Sequence, residues 1–162
     1  MILFYFMKRS GCNYSQDSSM DYKNVTQKDF KYLQSIKTRW RDMDAIGHIN
    51  HAIYLTYFET VRVDYLNELG FDLLKRGMDK GVILASMKID YWRQSSYPSN
   101  FNIGCRIIRI GQKSFDLFSV IFDDSNSKPI ACGIFTLVSF DYNIQKSIPI
   151  TDNIKANYLP FD

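Results

Sequence analysis

Ten consecutive residues, Asp42 to His51, contain two carboxylates and both histidines of the chain, in the sequence DMDAIGHINH. Carboxylates and imidazoles are the side chains that most often act as nucleophiles, general acids and general bases near neutral pH. An aromatic-rich run with the spacing of an amphipathic helix follows directly. The cluster is therefore either an active site or a turn with hydrogen-bonded side chains, and the elements around it must decide.

A short strand and a long helix are predicted on either side of the cluster. Residues Tyr32 to Arg41 alternate, imperfectly, in the manner of a strand. Asn50 is a good N-cap, and from His51 to Leu69 apolar residues recur at helical spacing. Gly70 stands where a left-handed residue would end the helix. The helix is expected to bury one face, which carries Tyr54, Phe58, Val61, Tyr65 and Leu69.

Four segments after the helix predict strands, because they are short, rich in Ile, Val, Phe and Tyr, and bounded by turn-forming residues. They are Gly81–Trp92, Phe101–Gly111, Ser114–Phe122 and Pro129–Tyr142. One strand, one long helix and a run of antiparallel strands predict an α+β domain whose sheet covers the helix. We expect this domain over residues 31–162. Residues 1–30 are expected to form a flexible N-terminal leader, since they are polar and lack sustained periodicity.

Composition restricts the class of function. The net charge of +3 is scattered along the chain, so a nucleic-acid partner is not expected. The apolar opening MILFYFMKRSG is too short to span a bilayer and no positive charge precedes it, so neither a membrane span nor a secretory signal is predicted. Three widely spaced cysteines without a CxxC motif indicate a reducing, cytoplasmic compartment. The mild basicity suits an anionic small molecule.

The segment TRWRDMDAIGHINHAIYLTYFETVRVDYL closely resembles the start of hot-dog-fold acyl-CoA thioesterases of the 4-hydroxybenzoyl-CoA thioesterase type. Their pattern is a strand, then D-x-D-x-x-G-H/I-x-N/Y, then a Y-L-x-x-F-E helix. The later KIDYWRQSSYPSNFNIGCRIIRIGQKSFDLFSVIF resembles the central hairpin of the family, so the resemblance extends from about Leu33 to Phe140. It implies a hot-dog fold, an antiparallel sheet wrapped around one central helix. It also implies paired protomers with an active site at their interface.

The same resemblance implies particular site residues. The catalytic carboxylate of the family falls on Asp44, its tight turn on Gly47, and the backbone N–H that polarises the thioester carbonyl on His51. Unsatisfied N–H groups at a helix start are suited to stabilise the oxyanion of thioester cleavage. Asp44 would then be either the nucleophile or the general base for water, and the sequence does not choose between them. Without the resemblance, an Asx-turn or a helix cap is the preferred role for Asp44.

The other polar residues of the cluster each allow two interpretations. His48 is either a catalytic group, which could orient the acid, or a structural hydrogen-bonding residue. Asn50 is expected to cap the helix, although this position lines the pocket in related proteins. Asp42 is expected to pair with Arg39 or Arg41, or to stay solvated. No recognised ligand spacing supports a metal site, and no metal or other cofactor is expected.

Substrate contacts are expected on the helix and at strand ends. Tyr54, Tyr57 and Phe58, with residues of a neighbouring subunit, would build the acyl pocket. The alternative is that these rings belong to the core, and for Phe58 this alternative is preferred. Coenzyme A carries a 3′-phosphate and a pyrophosphate, for which Arg93 and Lys113 are the favoured partners. Three further cations are weaker candidates, namely Lys88, Arg106 and Arg109.

The sequence therefore predicts a hydrolase that releases a free acid from an acyl-CoA, or from an acyl carrier protein thioester. A non-catalytic hot-dog module that binds acyl-CoA is the alternative from a different class, although such a module would not need the acid. A hot-dog enzyme acting on another ester, or on a hydroxylated aromatic thioester, is a third. Because a monomer would leave sheet edges and a half-built pocket, a homodimer or homotetramer is expected.

Overall fold

The structure is a computed structural model that describes residues 24–71 and 79–161. These residues form one antiparallel sheet, one long helix and one short helix. In chain order the elements are β1 (Tyr32–Lys37), α1 (His51–Glu68), β2 (Lys80–Tyr91), β3 (Asn100–Ile110), β4 (Ser114–Asp123), β5 (Pro129–Asp141), β6 (Lys146–Ser147) and α2 (Asp152–Ala156).

The strands lie in the order β1-β3-β4-β5-β2, and the short β6 pairs with the end of β5. α1 packs on one face of this curled sheet, and its buried side chains form a continuous core with those of β3, β4 and β5. The predicted hot-dog arrangement of an antiparallel sheet around one long helix is confirmed. The order leaves β1 and β2 at the edges of the sheet.

The predicted helix and its apolar face are confirmed. α1 begins at His51, and the Asn50 side chain caps it by accepting a hydrogen bond from the Ala52 N–H at 2.9 Å. Leu69 is the C-cap, and Gly70 follows with a φ of +87°, a conformation that glycine adopts without strain. All five residues of the predicted face are buried, namely Tyr54, Phe58, Val61, Tyr65 and Leu69.

The four strand segments after the helix are also confirmed within one or two residues. The first strand is shorter than predicted, because it ends at Lys37 rather than Arg41. The backbone N–H of Arg39 donates to the Asp42 carboxylate at 2.7 Å, which closes residues Trp40–Asp42 into a turn of 3-10 helix. The sequence did not reveal β6 and α2, which are too short to show a periodic pattern.

The outer face of the sheet is covered by segments near both ends of the described chain. Val25 and Phe30 fall within the predicted leader, yet they are buried in a second apolar cluster on this face. The ring of Phe30 lies against Gly104 of β3, where any Cβ atom would overlap it. Packed structure therefore begins before residue 31, while residues 1–23 lie outside the described part of the chain.

Arg106 fastens these two segments to the sheet. Its guanidinium donates to the carbonyl oxygens of Asp29, Leu159 and Pro160, at 2.9, 2.8 and 2.6 Å. It also stacks on the ring of Phe161, with its Cζ atom 3.8 Å from the ring centroid. This buried cation, a weaker candidate for a phosphate partner, thus has a structural role.

Candidate active site

A tight turn surrounds the Asp44 carboxylate. The Asp44 N–H donates to the His48 carbonyl at 2.7 Å, and the Gly47 N–H donates to the Asp44 carbonyl at 3.1 Å. Gly47 has a φ of +84°, so a residue with a side chain would be strained there. The backbone N–H groups of Ile46 and His48 both donate to Asp44 Oδ1, at 3.0 and 3.1 Å. The Asx-turn offered by the sequence as the structural role of Asp44 is therefore present.

This turn uses only one of the two carboxylate oxygens. Among the described residues, none donates a hydrogen bond to Asp44 Oδ2, and the residue is half-buried. A structural role through Oδ1 and a chemical role through Oδ2 are therefore compatible. The backbone N–H donors orient the carboxylate without consuming the second oxygen.

Backbone hydrogen bonds connect the turn to the start of α1. The Asn50 N–H donates to the Asp42 carbonyl at 2.9 Å, and the Ile49 N–H donates to the carbonyl of Ser95 at 2.8 Å. Because Asp44 pairs with His48, it lies beside the chain three residues before α1 begins. The loop after β2, the Trp40–Asp42 turn and the first turn of α1 therefore meet at one end of the molecule.

The first turn of α1 has one open donor. The Asn50 side chain occupies the N–H of Ala52, whereas the N–H of His51 has no acceptor among the described residues. The carbonyl of His51 accepts a hydrogen bond from the Tyr91 hydroxyl at 3.0 Å, which ties this turn to the end of β2. The exposed imidazole of His51 is not needed for these contacts. An open N–H at the positive end of a helix can stabilise a developing oxyanion.

Asp42 is held differently, and its predicted pairing with Arg39 is confirmed. It is 1% exposed, and its carboxylate accepts hydrogen bonds from the Arg39 side chain at 3.1 Å and from the Tyr57 hydroxyl at 2.6 Å. Burial by itself would raise the pKa of Asp42. The hydrogen bonds from Arg39 and Tyr57 and the charge of Arg39 outweigh burial and lower that pKa below its ordinary value.

Tyr54 and Tyr57 are buried in the core of the protomer, each 3% exposed. The ring of Tyr54 packs against Tyr91 and Phe101, with centroids 5.5 and 6.3 Å apart, and burial raises its pKa to about 12. Burial and the neighbouring Asp42 carboxylate raise the pKa of Tyr57. The contribution of the two rings to an acyl pocket stays a prediction.

The two favoured phosphate partners lie at opposite ends of the sheet. The Arg93 N–H donates to Ile130, near the start of β5, whereas the Lys113 carbonyl accepts from the N–H of Ser139, near its end. Nine residues of strand separate these points, or about 30 Å. Arg93 lies two residues from Ser95 and so on the side of Asp44. One protomer therefore does not bring Arg93 and Lys113 to the same ligand.

Two of the weaker cation candidates are engaged in ion pairs. Arg109 Nη2 lies 2.7 Å from a carboxylate oxygen of Asp116, and Lys88 Nζ lies 3.3 Å from Asp90.

Within residues 24–71 and 79–161, no three His, Cys, Asp or Glu side chains are grouped closely enough to hold a metal ion. None of the helices in this part of the chain is long and apolar enough to cross a membrane.

Two residues beside the cluster were not predicted to contact the substrate. Trp40 is 73% exposed and Arg41 is exposed as well, although both adjoin the buried Asp42. The sequence placed them in a strand, where one of the two would have faced the core. The only signal for their exposure is the charged surroundings of the tryptophan in RWRD.

Comparison with known proteins identifies the family of this chain. The model of the thioesterase-like superfamily matches residues 38–158, which include the Asp44 turn, α1 and strands β2 to β5. The long-chain acyl-CoA thioesterase FadM of Escherichia coli is 23% identical over 120 residues, which cover 74% of this chain and 91% of FadM. The protein YsmA of Bacillus subtilis is 24% identical over 130 residues, 80% of this chain and 86% of YsmA.

One solved structure shares the fold over nearly its whole length. A thioesterase from Thermus thermophilus, determined in complex with coenzyme A and Zn, superposes with a TM-score of 0.69. It is 26% identical, and the match covers 79% of this chain and 97% of that one.

Proposed function

The chain belongs to the thioesterase-like superfamily and is a thioester hydrolase, and we propose that it cleaves an acyl-CoA to a free acid and coenzyme A. One observation carries the proposal. Within residues 24–71 and 79–161, nothing donates a hydrogen bond to Asp44 Oδ2 at the turn that leads into α1, and nothing accepts one from the His51 N–H at the start of that helix. A carboxylate and an oxyanion donor are the two groups that thioester cleavage requires.

The chemistry follows from these two groups. The His51 N–H would donate to the thioester oxygen as negative charge develops on it. As a general base, Asp44 would take a proton from water, whose oxygen adds to the carbonyl carbon; collapse then expels the CoA thiolate, which takes up that proton. As a nucleophile, Asp44 would instead expel the thiolate and form a mixed anhydride, which water hydrolyses to the acid. Both routes require the ionised carboxylate.

The neighbouring residues support this site in different ways. The backbone of His48 orients Asp44 through its N–H and its carbonyl. The His48 imidazole, which bonds to no described residue, could hold water or the thioester. We propose that Gly47 and Asn50 shape the turn and the helix start against the substrate. Tyr54 and Tyr57 would contact the acyl group from the core side, and Arg93 a phosphate, as predicted from the sequence.

We propose that the active unit is a homodimer, or a tetramer built from it, joined through β2. This edge strand has apolar side chains in solvent, because Ile83, Leu84 and Met87 are 39, 42 and 51% exposed. An exposed apolar edge strand favours pairing with a second strand.

Two cavities of about 290 and 300 Å³ open at the far end of α1, where Leu69 lines both, and neither adjoins Asp44. A second copy would supply the missing wall of the acyl pocket.

The antiparallel pairing expected of two β2 strands has a further consequence. It would place the Lys113 end of one copy on the same side of the dimer as the Arg93 end of the other. Lys113 would then contribute to the substrate site only across the interface.

We place the enzyme domain at residues 31–162, with residues 24–30 packed on its outer face. A cytoplasmic location stays a prediction from the cysteine pattern, of which Cys105 and Cys132 are buried free thiols.

The test is thiol release by the purified protein. Acyl-CoA substrates of graded chain length, with aliphatic and aromatic members, are compared with the same acyl groups on an acyl carrier protein. We expect catalytic release of CoA from at least one class of acyl-CoA. Tight binding of acyl-CoA without turnover over hours would instead identify a non-catalytic binding module. Turnover restricted to the carrier-protein thioester would move the substrate to that class.

A further inference from the structure

Trp40 is a large apolar ring held in solvent beside the candidate site. It is 73% exposed, although Asp42, two residues away, is 1% exposed. Two residues of 3-10 helix span about 4 Å, so Trp40 lies close to Asp42. The backbone of Asp42 is hydrogen-bonded to Asn50 at the start of α1. An exposed tryptophan offers a flat face on which another ring can stack.

The segment that carries Trp40 is fixed at both ends. Before it, the Thr38 N–H donates to the Ser99 carbonyl at 3.0 Å, and the Ser99 N–H donates to the Thr38 hydroxyl at 2.9 Å. After it, the Asp42 carbonyl accepts from the N–H of Asn50 at the start of α1. The backbone under the ring is thus anchored to the loop after β2 and to the helix. Fixing the backbone reduces the conformational entropy that is lost when the tryptophan ring binds a ligand.

Exposed positively charged residues lie close to this anchor in the chain and in the loop that adjoins it. Lys37 and Arg41 flank it in the chain, and Arg93 lies in the loop that binds the same segment. All three are exposed, and none forms an ion pair with a residue of the described chain. Arg39 is the exception, because its guanidinium is used by the Asp42 carboxylate. The anchor therefore combines one stacking surface with several cations that have no ion-pair partner in the described part of the chain.

We infer that Trp40, with Arg41 and Arg93, binds the nucleotide half of coenzyme A. This inference rests on the proposed function and makes it more specific. Adenine would stack on the indole, while the 3′-phosphate and the pyrophosphate would pair with the guanidinium groups. The pantetheine arm would lead from there to Asp44, four residues further along the same segment. Charged residues on both sides of Trp40 suit a small anionic ring system better than a broad apolar partner.

The kinetic test compares two thioesters of one acyl group, acyl-CoA and acyl-pantetheine, which lacks the nucleotide. Trp40→Ala is expected to raise the KM for acyl-CoA about tenfold, as the loss of base stacking requires, and to leave kcat and the KM for acyl-pantetheine unchanged. Trp40→Phe, which keeps a ring, should restore most of the affinity. Arg41→Gln should likewise raise only the KM for acyl-CoA, whereas Leu33→Ala on the exposed surface of β1 and Lys28→Gln in the segment on the outer face of the sheet should change neither KM.

A binding test separates this inference from the proposed function. Adenosine 3′,5′-bisphosphate should quench the fluorescence of Trp40 and compete with acyl-CoA, and Trp40→Phe should abolish the quenching. Quenching without hydrolysis of any thioester would overturn the function and support the nucleotide site. If the protein hydrolysed acyl-CoA and Trp40→Ala changed the KM for acyl-CoA and for acyl-pantetheine equally, or changed neither, the nucleotide site would be overturned and the proposed function would stand. A Trp40→Ala defect confined to a carrier-protein thioester would overturn it too.

Discussion

At the scale of single residues, two aspartates two positions apart have different surroundings. The Asp42 carboxylate is buried and receives hydrogen bonds from the Arg39 backbone, the Arg39 side chain and Tyr57. The Asp44 carboxylate is half-buried and keeps one oxygen without a described partner. The local environment therefore assigns Asp42 to structure and leaves Asp44 available for chemistry.

Asp42→Asn is expected to destabilise the fold by about 2 kcal/mol at neutral pH, because it weakens charged hydrogen bonds to two partners. The lowered pKa of Asp42 makes this effect depend on pH. Its contribution to stability is present above about pH 4, the ordinary pKa of an aspartate, and is lost as the pH falls through the lower folded-state pKa. Urea unfolding of both proteins measures the difference at pH 7 and across the acid range.

Tyr57→Phe is the matched variant, since it removes one hydrogen bond to Asp42 and keeps the ring; it should cost about 1 kcal/mol. A difference between wild type and Asp42→Asn that stayed constant from pH 7 to below pH 3 would contradict the role given to this carboxylate.

The sequence supported part of this site. The resemblance marked Asp44, and the nearby arginines suggested a partner for Asp42. The hydrogen bond from Tyr57 to Asp42 joins residues 15 positions apart, and only the folded helix brings them together. The open oxygen of Asp44 depends on which backbone N–H groups the turn aims at it, and residue types alone do not determine that geometry.

At the scale of elements, the start of α1 carries the second half of the proposed chemistry. His51→Pro would remove the N–H assigned to the oxyanion and nothing that the helix itself uses. Proline is tolerated at the first helical position, and Asn50, at φ −61° and ψ 135°, already has the extended backbone that a following proline requires. We expect kcat to fall at least a hundredfold while the melting temperature stays close to that of wild type.

His51→Ala is the control, because it removes the imidazole and keeps the N–H. Most of the turnover should remain in this variant. If His51→Pro folded normally and turned over substrate at the wild-type rate, the backbone donor would have no part in the reaction.

Element prediction succeeded where a pattern is long and local. The helical spacing from His51 to Leu69 repeats over five turns, and each long strand has its own apolar run between turn residues. β1 was predicted too long because the Arg39 N–H donates to the Asp42 side chain and so starts a turn. A pattern of alternating residues does not reveal such a side-chain contact. Arg93 and Lys113 were grouped by charge, and only the register of β5 shows that they lie at opposite ends of the sheet.

At the scale of the whole molecule, β2 is the edge where a second copy would continue the sheet. Met87→Lys would place a charge in that interface, so we expect light scattering to show a monomer with little thioesterase activity. Leu33→Lys is the control, since Leu33 is 41% exposed on β1, at the opposite edge of the sheet. A Met87→Lys protein with the mass and activity of wild type would exclude β2 as the interface.

The most direct test of the account is the turnover number of Asp44→Asn. Asparagine keeps a side-chain oxygen for the N–H groups of Ile46 and His48, so the turn should fold, but it removes the charge that either mechanism needs. Asp152→Asn, on the exposed short helix α2, is the control for loss of a carboxylate. We predict that Asp44→Asn keeps the wild-type melting temperature and loses at least a hundredfold in kcat, with Asp152→Asn unchanged. A folded Asp44→Asn protein that hydrolysed acyl-CoA at the wild-type rate would contradict the account.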